Sequence, residues 1–240
     1  MRSTSLLLAC VALASSSCSL QLFHTSTETR AFDSTHEIPA GVTTLSFKTH
    51  NGKIVIEPSL DVYQVEIHAL VSLNGRDSVA LLGDMLRVEI NTTVQDGIME
   101  LWYDCSSNDN LSASATIKVP ESLAVRLDSS NGRIVVSGDF PNIYADTSNG
   151  RIELRGASPQ FDLDTSNGRI EIFFTEDWAG QGTAKTSNGK IRAWSHSAIS
   201  CTTDLSTSNG KTVSNVTAGE GQLTLHTSNG SISVESGLAK

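Results

Sequence analysis

Carboxylate side chains recur at a fixed spacing in the second half of the chain. Asp128, Asp146 and Asp164 each lie three residues before an Asn-Gly pair, so a repeated structure would place them in one outward row. Stacked carboxylates can bind a cation or act as an acid and base pair on a glycan. Lys185 continues the row with the opposite charge, and we therefore interpret this acidic row as a solvated, structural surface.

A second set of outward residues lies six positions after the Asn of each pair. Arg155, Phe173 and Trp194 hold this position in three consecutive repeats. Rings in register on neighbouring strands can support each other, which contributes about 0.5–1.5 kcal/mol per pair, or can form a flat platform for a sugar ring or a partner side chain. We treat these three residues with Arg192 as the candidate ligand surface, and mutual support remains the simpler alternative.

Basic residues form a further row, two positions after the Asn. This basic row comprises Lys53, Arg133, Arg151, Arg169, Lys190 and Lys211. Adjacent charges about 4.8 Å apart repel by about 0.9 kcal/mol in water, and flexible side chains with nearby Glu153 and Glu171 can relieve that repulsion. The row can bind an anionic polymer, although charge rows on strands are more typical of a solvated face.

The sequence predicts no catalytic, cofactor or metal site. Its six histidines show no pair at metal-ligand spacing, and a P-loop, a strand followed by GxGxxG and a Gly-x-Ser-x-Gly elbow are all absent. The formal net charge of −9 over 240 residues excludes a nucleic-acid surface built on net basicity. We therefore predict a protein that is not an enzyme and requires no cofactor.

The N-terminal residues carry the features of an export signal. After a short positive region, residues 6–14 form an apolar run that is too short to span a bilayer. Three serines then lead into Cys18, in a sequence that resembles the lipobox of bacterial lipoproteins with Ser15 where Leu is preferred. The resemblance implies that residues 1–17 are removed and that Cys18 carries a lipid. The alternatives are cleavage near Ala14 and use of Cys10.

Two further cysteines, Cys105 and Cys201, remain in the exported chain. An even number of cysteines in an oxidising compartment favours a disulfide, and their wide separation without CxxC spacing is atypical of zinc ligands. The alternative is a pair of buried free thiols that pack as small hydrophobic groups. The sequence leaves both open.

An internal repeat governs the fold prediction. Asn-Gly pairs recur within frames like Thr-Ser-Asn-Gly-Arg-Ile, at Asn51, Asn131, Asn149, Asn167, Asn188, Asn209 and Asn229. From Asn131 onward the steps are 18–21 residues long, which is typical of a repeat array. The alternating apolar positions shift by one residue across each pair, so the pair marks a corner between two short strands, with Gly supplying a positive φ.

Two architectures fit short strands separated by Asn-Gly. In a meander each pair is a two-residue hairpin turn. In a β-solenoid each pair is a corner, and equivalent residues of successive repeats stack about 4.8 Å apart. The solenoid explains why identical residues recur at identical positions, because inward Asn amides can then hydrogen-bond to the copies above and below. We therefore predict an all-β solenoid.

The first half of the folded chain departs from the regular repeat. It holds one outlying copy of the motif, and residues 76–86 have the apolar spacing of a short helix. We predict a single domain, 34–240, in which residues 34–120 cap the open edge of the regular repeats in residues 121–240. Residues 18–33 are rich in Ser and Thr and are interpreted as a tether.

Several segments resemble a known family. They are Ile117-Lys118-Val119-Pro120, the run VRLDSSNGRIVVS at 125–137 and the later Thr-Ser-Asn-Gly-Arg-Ile frames. They resemble the bacterial putative-adhesin family of unknown function, the DUF4097-type β-strand repeat proteins, over residues 32–237. The resemblance implies a right-handed solenoid in an exported or membrane-attached protein, and it offers no catalytic residues to transfer.

These observations predict an exported, lipid-anchored β-solenoid that is a non-enzymatic binding or structural module of the bacterial cell envelope. Its expected partners are the membrane, through the lipid, and an envelope polymer or surface protein. Ser19 after the Cys resembles the signal for outer-membrane sorting in bacteria with two membranes. The alternative is a carbohydrate-active solenoid enzyme acting on an envelope or extracellular polysaccharide, which would need carboxylates converging in a cleft. A scaffold without a ligand is the third class.

We predict that Cys18 is the acylated residue. Metabolic labelling with a fatty-acid analogue should mark the wild-type protein and the Cys10→Ala variant, and it should not mark Cys18→Ala. Label retained by Cys18→Ala would contradict the assignment to this residue.

Overall fold

The computed structural model describes residues 26–75, 78–86, 88–104 and 111–237, which form nineteen strands and one helix, α1 (Ser78–Met85). The ten-stranded sheet comprises, in spatial order, β1 (Ser26–Glu37), β4 (Gln64–Gly75), β7 (Leu111–Pro120), β3 (Ile54–Ser59), β9 (Ile134–Ser137), β11 (Ile152–Arg155), β13 (Ile170–Phe174), β15 (Ile191–Ser195), β19 (Ile232–Glu235) and β17 (Thr212–Ser214). The nine-stranded sheet comprises, in spatial order, β16 (Ser200–Asn209), β18 (Thr217–Asn229), β14 (Gln181–Thr186), β12 (Gln160–Thr165), β10 (Ile143–Thr147), β8 (Ala124–Asn131), β2 (Thr44–Asn51), β6 (Ile98–Asp104) and β5 (Glu89–Gln95).

Successive strands of the repeats alternate between the two sheets. Strands β10, β12 and β14 belong to the nine-stranded sheet, whereas β11, β13 and β15 belong to the ten-stranded sheet. Within each sheet the repeats pair in parallel and in register, so that Ile152 is the partner of both Ile134 and Ile170. The prediction of an all-β protein is confirmed as two large, mainly parallel sheets with one short helix among the described residues.

The apolar positions on either side of each Asn-Gly pair form the core. In one repeat, Leu163 precedes the pair, Ile170 and Ile172 follow it, and all three are completely buried. Burying a side chain of this size stabilises the folded state by about 1.5–3 kcal/mol. Because the repeats inside the stack place apolar residues at the same positions, one continuous core extends from Leu45 to Val234.

An aromatic cluster fills the core where the repeat is longer than 18 residues. The Trp178 ring stacks on Phe174 with centroids 4.5 Å apart, and its Nε1 donates to the Ser158 carbonyl at 2.9 Å. The ring of Phe161 lies 5.6 Å from Trp178 and occupies the space beside Gly182, where a Cβ would overlap it. The extra residues of the longer repeat thus supply a buried indole with a satisfied N–H group.

The spatial order of the strands differs from their order in the chain at both ends. Strands β2 and β3 lie between β6–β7 and β8–β9, which brings the outlying motif at Asn51 against Asn131. Strands β18 and β19 lie inside β16 and β17, which form the outer edges of the two sheets. The last repeat in the sequence is therefore not the last repeat in space.

The outermost repeat, β16–β17, carries polar residues at positions that are apolar elsewhere. Thr212 and Ser214 are exposed in β17, whereas their partners in β19, Ile232 and Val234, are buried. Polar residues on the outer face of a terminal repeat keep a repeat array soluble. At the opposite edges, the antiparallel strands β1 and β5 flank the parallel strands.

The Asn side chains form one continuous ladder along the outside of the corner. Each Nδ2 donates to the Oδ1 of the preceding Asn at 2.8–3.0 Å, in the spatial order Asn51, Asn131, Asn149, Asn167, Asn188, Asn229 and Asn209. The prediction that these amides point inward is wrong, since all except Asn51 are exposed. The Thr two residues earlier is the last inward side chain before the chain bends, which leaves the Asn on the outside.

Threonine hydroxyls and glycine carbonyls form a second line of contacts inside the corner. Thr165 Oγ1 donates to the Gly150 carbonyl at 3.0 Å, and Thr186 Oγ1 donates to the Gly168 carbonyl at 3.0 Å. A Cβ at Gly168 would overlap the Gly150 carbonyl oxygen. The predicted positive φ is wrong for this glycine, because its constraint is the space left by the neighbouring repeat.

Of the two cysteines for which the sequence leaves a disulfide or free thiols open, Cys201 lies within the described residues. Cys201 is a free, buried thiol, and burial raises its pKa. Cys105 lies outside the described residues, so its state stays a prediction. The free-thiol alternative therefore holds for Cys201.

The N-terminal predictions fall mostly outside the described residues. These include the signal sequence and Cys18, which remain predictions. The tether is predicted too long, because Ser26–Glu37 form β1, which pairs along its whole length with β4. Phe32 of β1 packs against the core, and this contact explains why a Ser- and Thr-rich segment is ordered. Helix α1 is not long and apolar enough to cross a membrane.

We expect Gly168→Ala to lower the free energy of unfolding by about 1–3 kcal/mol, the usual cost of overpacking. The matched control is Gly83→Ala in α1, where a Cβ meets nothing within 4 Å and helix propensity improves by about 1 kcal/mol. Chemical denaturation of both variants measures the difference. Equal stability of the two variants would contradict the close-packed corner.

Candidate ligand-binding surface

The predicted ligand residues lie together on the outer face of the ten-stranded sheet. Arg155 of β11, Phe173 of β13 and Trp194 of β15 are consecutive partners across the three strands. The rings of Phe173 and Trp194 are tilted by 37° with centroids 5.6 Å apart, and both are partly exposed. Register alone brings these side chains together, as the repeat spacing predicts.

Arg192 extends this surface along β15. Its guanidinium carbon lies 4.8 Å from the centre of the Trp194 ring, which is a cation–π contact, and its Nη2 donates to Glu235 Oε2 at 2.9 Å. The ring of His196 meets the edge of Phe173 with centroids 5.4 Å apart. We call Arg155, Phe173, Trp194 and Arg192 the aromatic patch. Sequence analysis identifies these four residues and misses His196, which lies beyond the repeated frame.

Much of the basic row is neutralised by an Arg–Glu network. Glu153, whose side chain is 9 % exposed, lies 2.5 Å from Arg133 Nη2 and 2.6 Å from Arg151 Nε. Glu171 bridges Arg151 and Arg169 in the same way. Burial alone raises the pKa of Glu171, but hydrogen bonds from Arg169 and Arg151 outweigh burial and hold the pKa below its usual range. These three arginines therefore serve mainly to hold neighbouring strands together.

The network ends beside the aromatic patch at a cavity that sequence analysis does not identify. The cavity has a volume of about 600 Å³ and is lined by Arg169, Lys190 and Arg192 together with Ser231 and Ser233. Ser231 directly precedes β19 and Ser233 lies within it, so the two serines stand beside Lys190 and Arg192 of the neighbouring repeat. The loss of the basic residue at Ser231 is the sequence signal that marks this place. We call this cavity the serine notch.

The acidic row lies on the outer face of the nine-stranded sheet. Asp146 is the partner of both Asp128 and Asp164, and Lys185 follows Asp164. Burial and then the charge of Asp128 raise the pKa of Asp146, and burial and then the charge of Asp146 raise the pKa of Asp164. Within the described ranges, no three His, Cys, Asp or Glu residues are placed to hold a metal ion. The geometry agrees with a structural surface on which like charges repel.

Comparisons with known proteins give only distant similarity. No protein-family model matches the sequence, and no curated protein matches it. The structure is similar to a putative cell adhesion protein from Clostridium sporogenes, with 12% identity and a TM-score of 0.49 over 87% of this chain and 100% of that chain. The structure is also similar to a putative adhesin from Parabacteroides distasonis, with 13% identity and a TM-score of 0.43 over 86% of this chain and 97% of that chain. A putative adhesin from Parabacteroides merdae has 15% identity and a TM-score of 0.42 over 86% of this chain and 96% of that chain.

These names bear out the resemblance to proteins described as putative adhesins. The narrower assignment to DUF4097-type proteins and the lipoprotein signal stay predictions. At this level of identity the similarity concerns the fold and assigns no activity or ligand to the chain.

We expect Asp146→Asn to stabilise the protein at neutral pH, because it removes repulsion from two neighbours worth about 0.9 kcal/mol each at most in water. A carboxyl group whose pKa is raised by folding favours the folded state when protonated and loses that contribution as the pH rises. The gain in melting temperature should therefore be a few degrees, about 2–4 °C per kcal/mol, at pH 7 and should vanish below about pH 3.8.

The matched control is Asp204→Asn, which removes one exposed charge from the same sheet face. An equal gain in the control, or a gain that persists at pH 3, would show that repulsion within the acidic row is not the cause.

Proposed function

We propose that this protein is an exported, lipid-anchored β-solenoid that acts as a non-enzymatic, adhesin-like binding module of the bacterial cell envelope. The aromatic patch is the observation that carries the proposal. The lipid on Cys18 would hold the protein at a membrane, and the patch would contact an envelope polymer or a surface protein.

The solenoid assignment is supported by the way the chain alternates between sheets. Each repeat contributes one strand to the nine-stranded sheet and the next to the ten-stranded sheet, and equivalent residues of successive repeats are direct partners. A meander would instead pair sequential strands in antiparallel fashion across each Asn-Gly turn. We infer a right-handed solenoid whose two outer faces are the two sheets.

The binding role is supported by residues that the core does not require. Phe173 and Trp194 face outward at a position that is Ser137, Asn215 and Glu235 in other repeats. The two partly exposed rings lie side by side, next to Arg155 and with the Arg192 guanidinium group over Trp194. Such a surface can stack on a sugar ring or an apolar side chain while the cations bind polar groups at its rim.

A carbohydrate-active enzyme is the alternative. Two carboxylates would then have to face each other across the substrate, about 5–9.5 Å apart in a cleft. The carboxylates of the acidic row lie side by side on a sheet face instead, and those of the Arg–Glu network are held in ion pairs. A purely structural scaffold, the remaining class, would have no ligand on the aromatic patch.

We expect the double variant Phe173→Ser with Trp194→Ser to lose retention on isolated envelope polymers by at least about tenfold, because two stacking surfaces are removed. The matched control is Tyr63→Ser, which removes a ring that is 75% exposed in the turn before β4. Retention and thermal unfolding of the purified protein are measured in parallel.

If the two rings serve only to support neighbouring strands, the double variant will melt at a lower temperature and keep full retention. That outcome would contradict the binding role. Chemical turnover of a retained polymer would favour the enzyme class instead.

A further inference from the structure

The serine notch adjoins the aromatic patch and offers positive charge where the rest of the protein is acidic. Its lining contains the cations of Arg169, Lys190 and Arg192 and a single carboxylate, that of Glu171. Glu171 is already bound by Arg151 and Arg169, so its charge is neutralised within the network. The same ion pair compensates Arg169, and Arg192 is paired with Glu235. The net positive charge of the notch therefore comes from Lys190, on a chain whose formal net charge is −9.

Lys190 supplies the charge that the network leaves uncompensated. Its side chain is exposed, and none of the carboxylates in the described part of the chain lies within 4.0 Å of its ammonium group. On one side, Ser231 replaces the Lys or Arg of the basic row, and Ser233 stands where the neighbouring repeat has Arg192, which opens room for a ligand group. An anion in this space can accept hydrogen bonds from an ammonium group and two hydroxyl groups.

The positions of the notch and the patch define the shape of a ligand that would use both. Arg192 lines the notch, and Trp194, two residues further along the same strand face, belongs to the patch. Two residues of a strand span about 6.6 Å, so the apolar and anionic parts of the ligand must lie close together. A sugar ring with an acidic substituent has a flat apolar face and a negative charge on one small ring.

We propose that the serine notch binds the anionic group of an acidic polysaccharide whose ring stacks on Phe173 and Trp194. This proposal rests on the proposed binding function of the aromatic patch and specifies the ligand class. Lys190 and Arg192 contact the anion, and Ser231 and Ser233 provide the space and further donors. Arg192 joins the two parts, because it lies over Trp194 and also lines the notch.

The test compares acidic polymers with neutral counterparts of the same backbone. Oligogalacturonate is paired with its methyl ester, and dextran sulfate and dextran phosphate are paired with dextran, so that a carboxylate, a sulfate and a phosphate are distinguished. Titration calorimetry on the purified protein measures the dissociation constants. At least one acidic polymer should bind about tenfold more tightly than its neutral counterpart, and the difference should shrink as salt is added.

Two variants locate the effect. Lys190→Gln removes the uncompensated charge and Ser233→Leu fills the notch, and each should abolish most of the preference for the acidic polymer while affinity for the neutral one is unchanged. The matched control is Lys53→Gln, which removes the same charge from the same row four strands away from β15. The control should keep the preference.

The outcomes separate this proposal from the proposed function. If acidic and neutral polymers bind equally well and lose binding only in the Phe173→Ser, Trp194→Ser double variant, the proposal for the serine notch is overturned. That result would leave the proposed function of the aromatic patch in place. Equal loss in Lys53→Gln would reduce the effect to net charge and overturn the notch. Polyglutamate that competes as well as the best acidic polymer would overturn the polysaccharide assignment, and no binding of any acidic polymer would overturn it as well.

Discussion

Neighbouring repeats approach each other at the Asn-Gly corner so closely that a glycine carbonyl occupies the space that a Cβ would need. This contact recurs at Gly132, Gly150, Gly168, Gly189, Gly210 and Gly230. A buried hydroxyl donates to that carbonyl from the inner side, and the Asn ladder closes the outer side. Because the corner admits only one spacing and one register, the strands that leave it are fixed relative to those of the next repeat. The rows of side chains on both sheets follow from this constraint.

Because the repeats pair in register, residues at the same position of successive repeats lie side by side. The consequences differ between the outer faces of the two sheets. On the ten-stranded sheet, residues of opposite charge alternate, and Glu153 is satisfied by Arg133 and Arg151. On the nine-stranded sheet, three carboxylates stand beside one another, and the pKa of Asp146 rises with burial and with the charge of Asp128. The outer faces therefore differ in electrostatic character although they are built from the same repeats. An anionic ligand is directed to the ten-stranded sheet by this difference.

The repeat spacing alone predicts the parts of the structure that depend on register. It places Arg155, Phe173 and Trp194 on adjacent strands and assigns the buried isoleucines after each corner, and both are confirmed. The orientation of the Asn side chain could not be read from alternation, because the bend falls between the Thr and the Gly and breaks the strand phase there. The ordering of residues 26–33 was missed because their stability comes from pairing with β4, a contact with no local signal.

The repeat pattern also does not predict the spatial order of the terminal repeats. A repeat length of 18–21 residues does not indicate that β18 and β19 lie inside β16 and β17. A signal did exist in the polar residues Thr212 and Ser214, since a repeat with polar inward positions is suited to an edge and not to the middle of a stack. The serine notch could not be predicted from the sequence for a similar reason. Ser231 belongs to the last repeat in the chain, and that repeat lies next to β15 in space.

The displaced order of the terminal repeats bears on the order in which the chain folds. A repeat array normally grows by adding each new unit to the exposed end of the previous one, so that it can fold as it emerges. Here β16 and β17 have no strand to pair with until β18 and β19 arrive, and β16 meets the earlier repeats directly at its first residue, where Ser200 N donates to the Trp178 carbonyl. Loss of the final 24 residues, which contain β18 and β19, would leave a gap inside the stack and would deprive β16 and β17 of their partner strands. In an array with sequential order, the same loss would remove the end repeat alone. Completion of the fold thus requires the last segment of the chain.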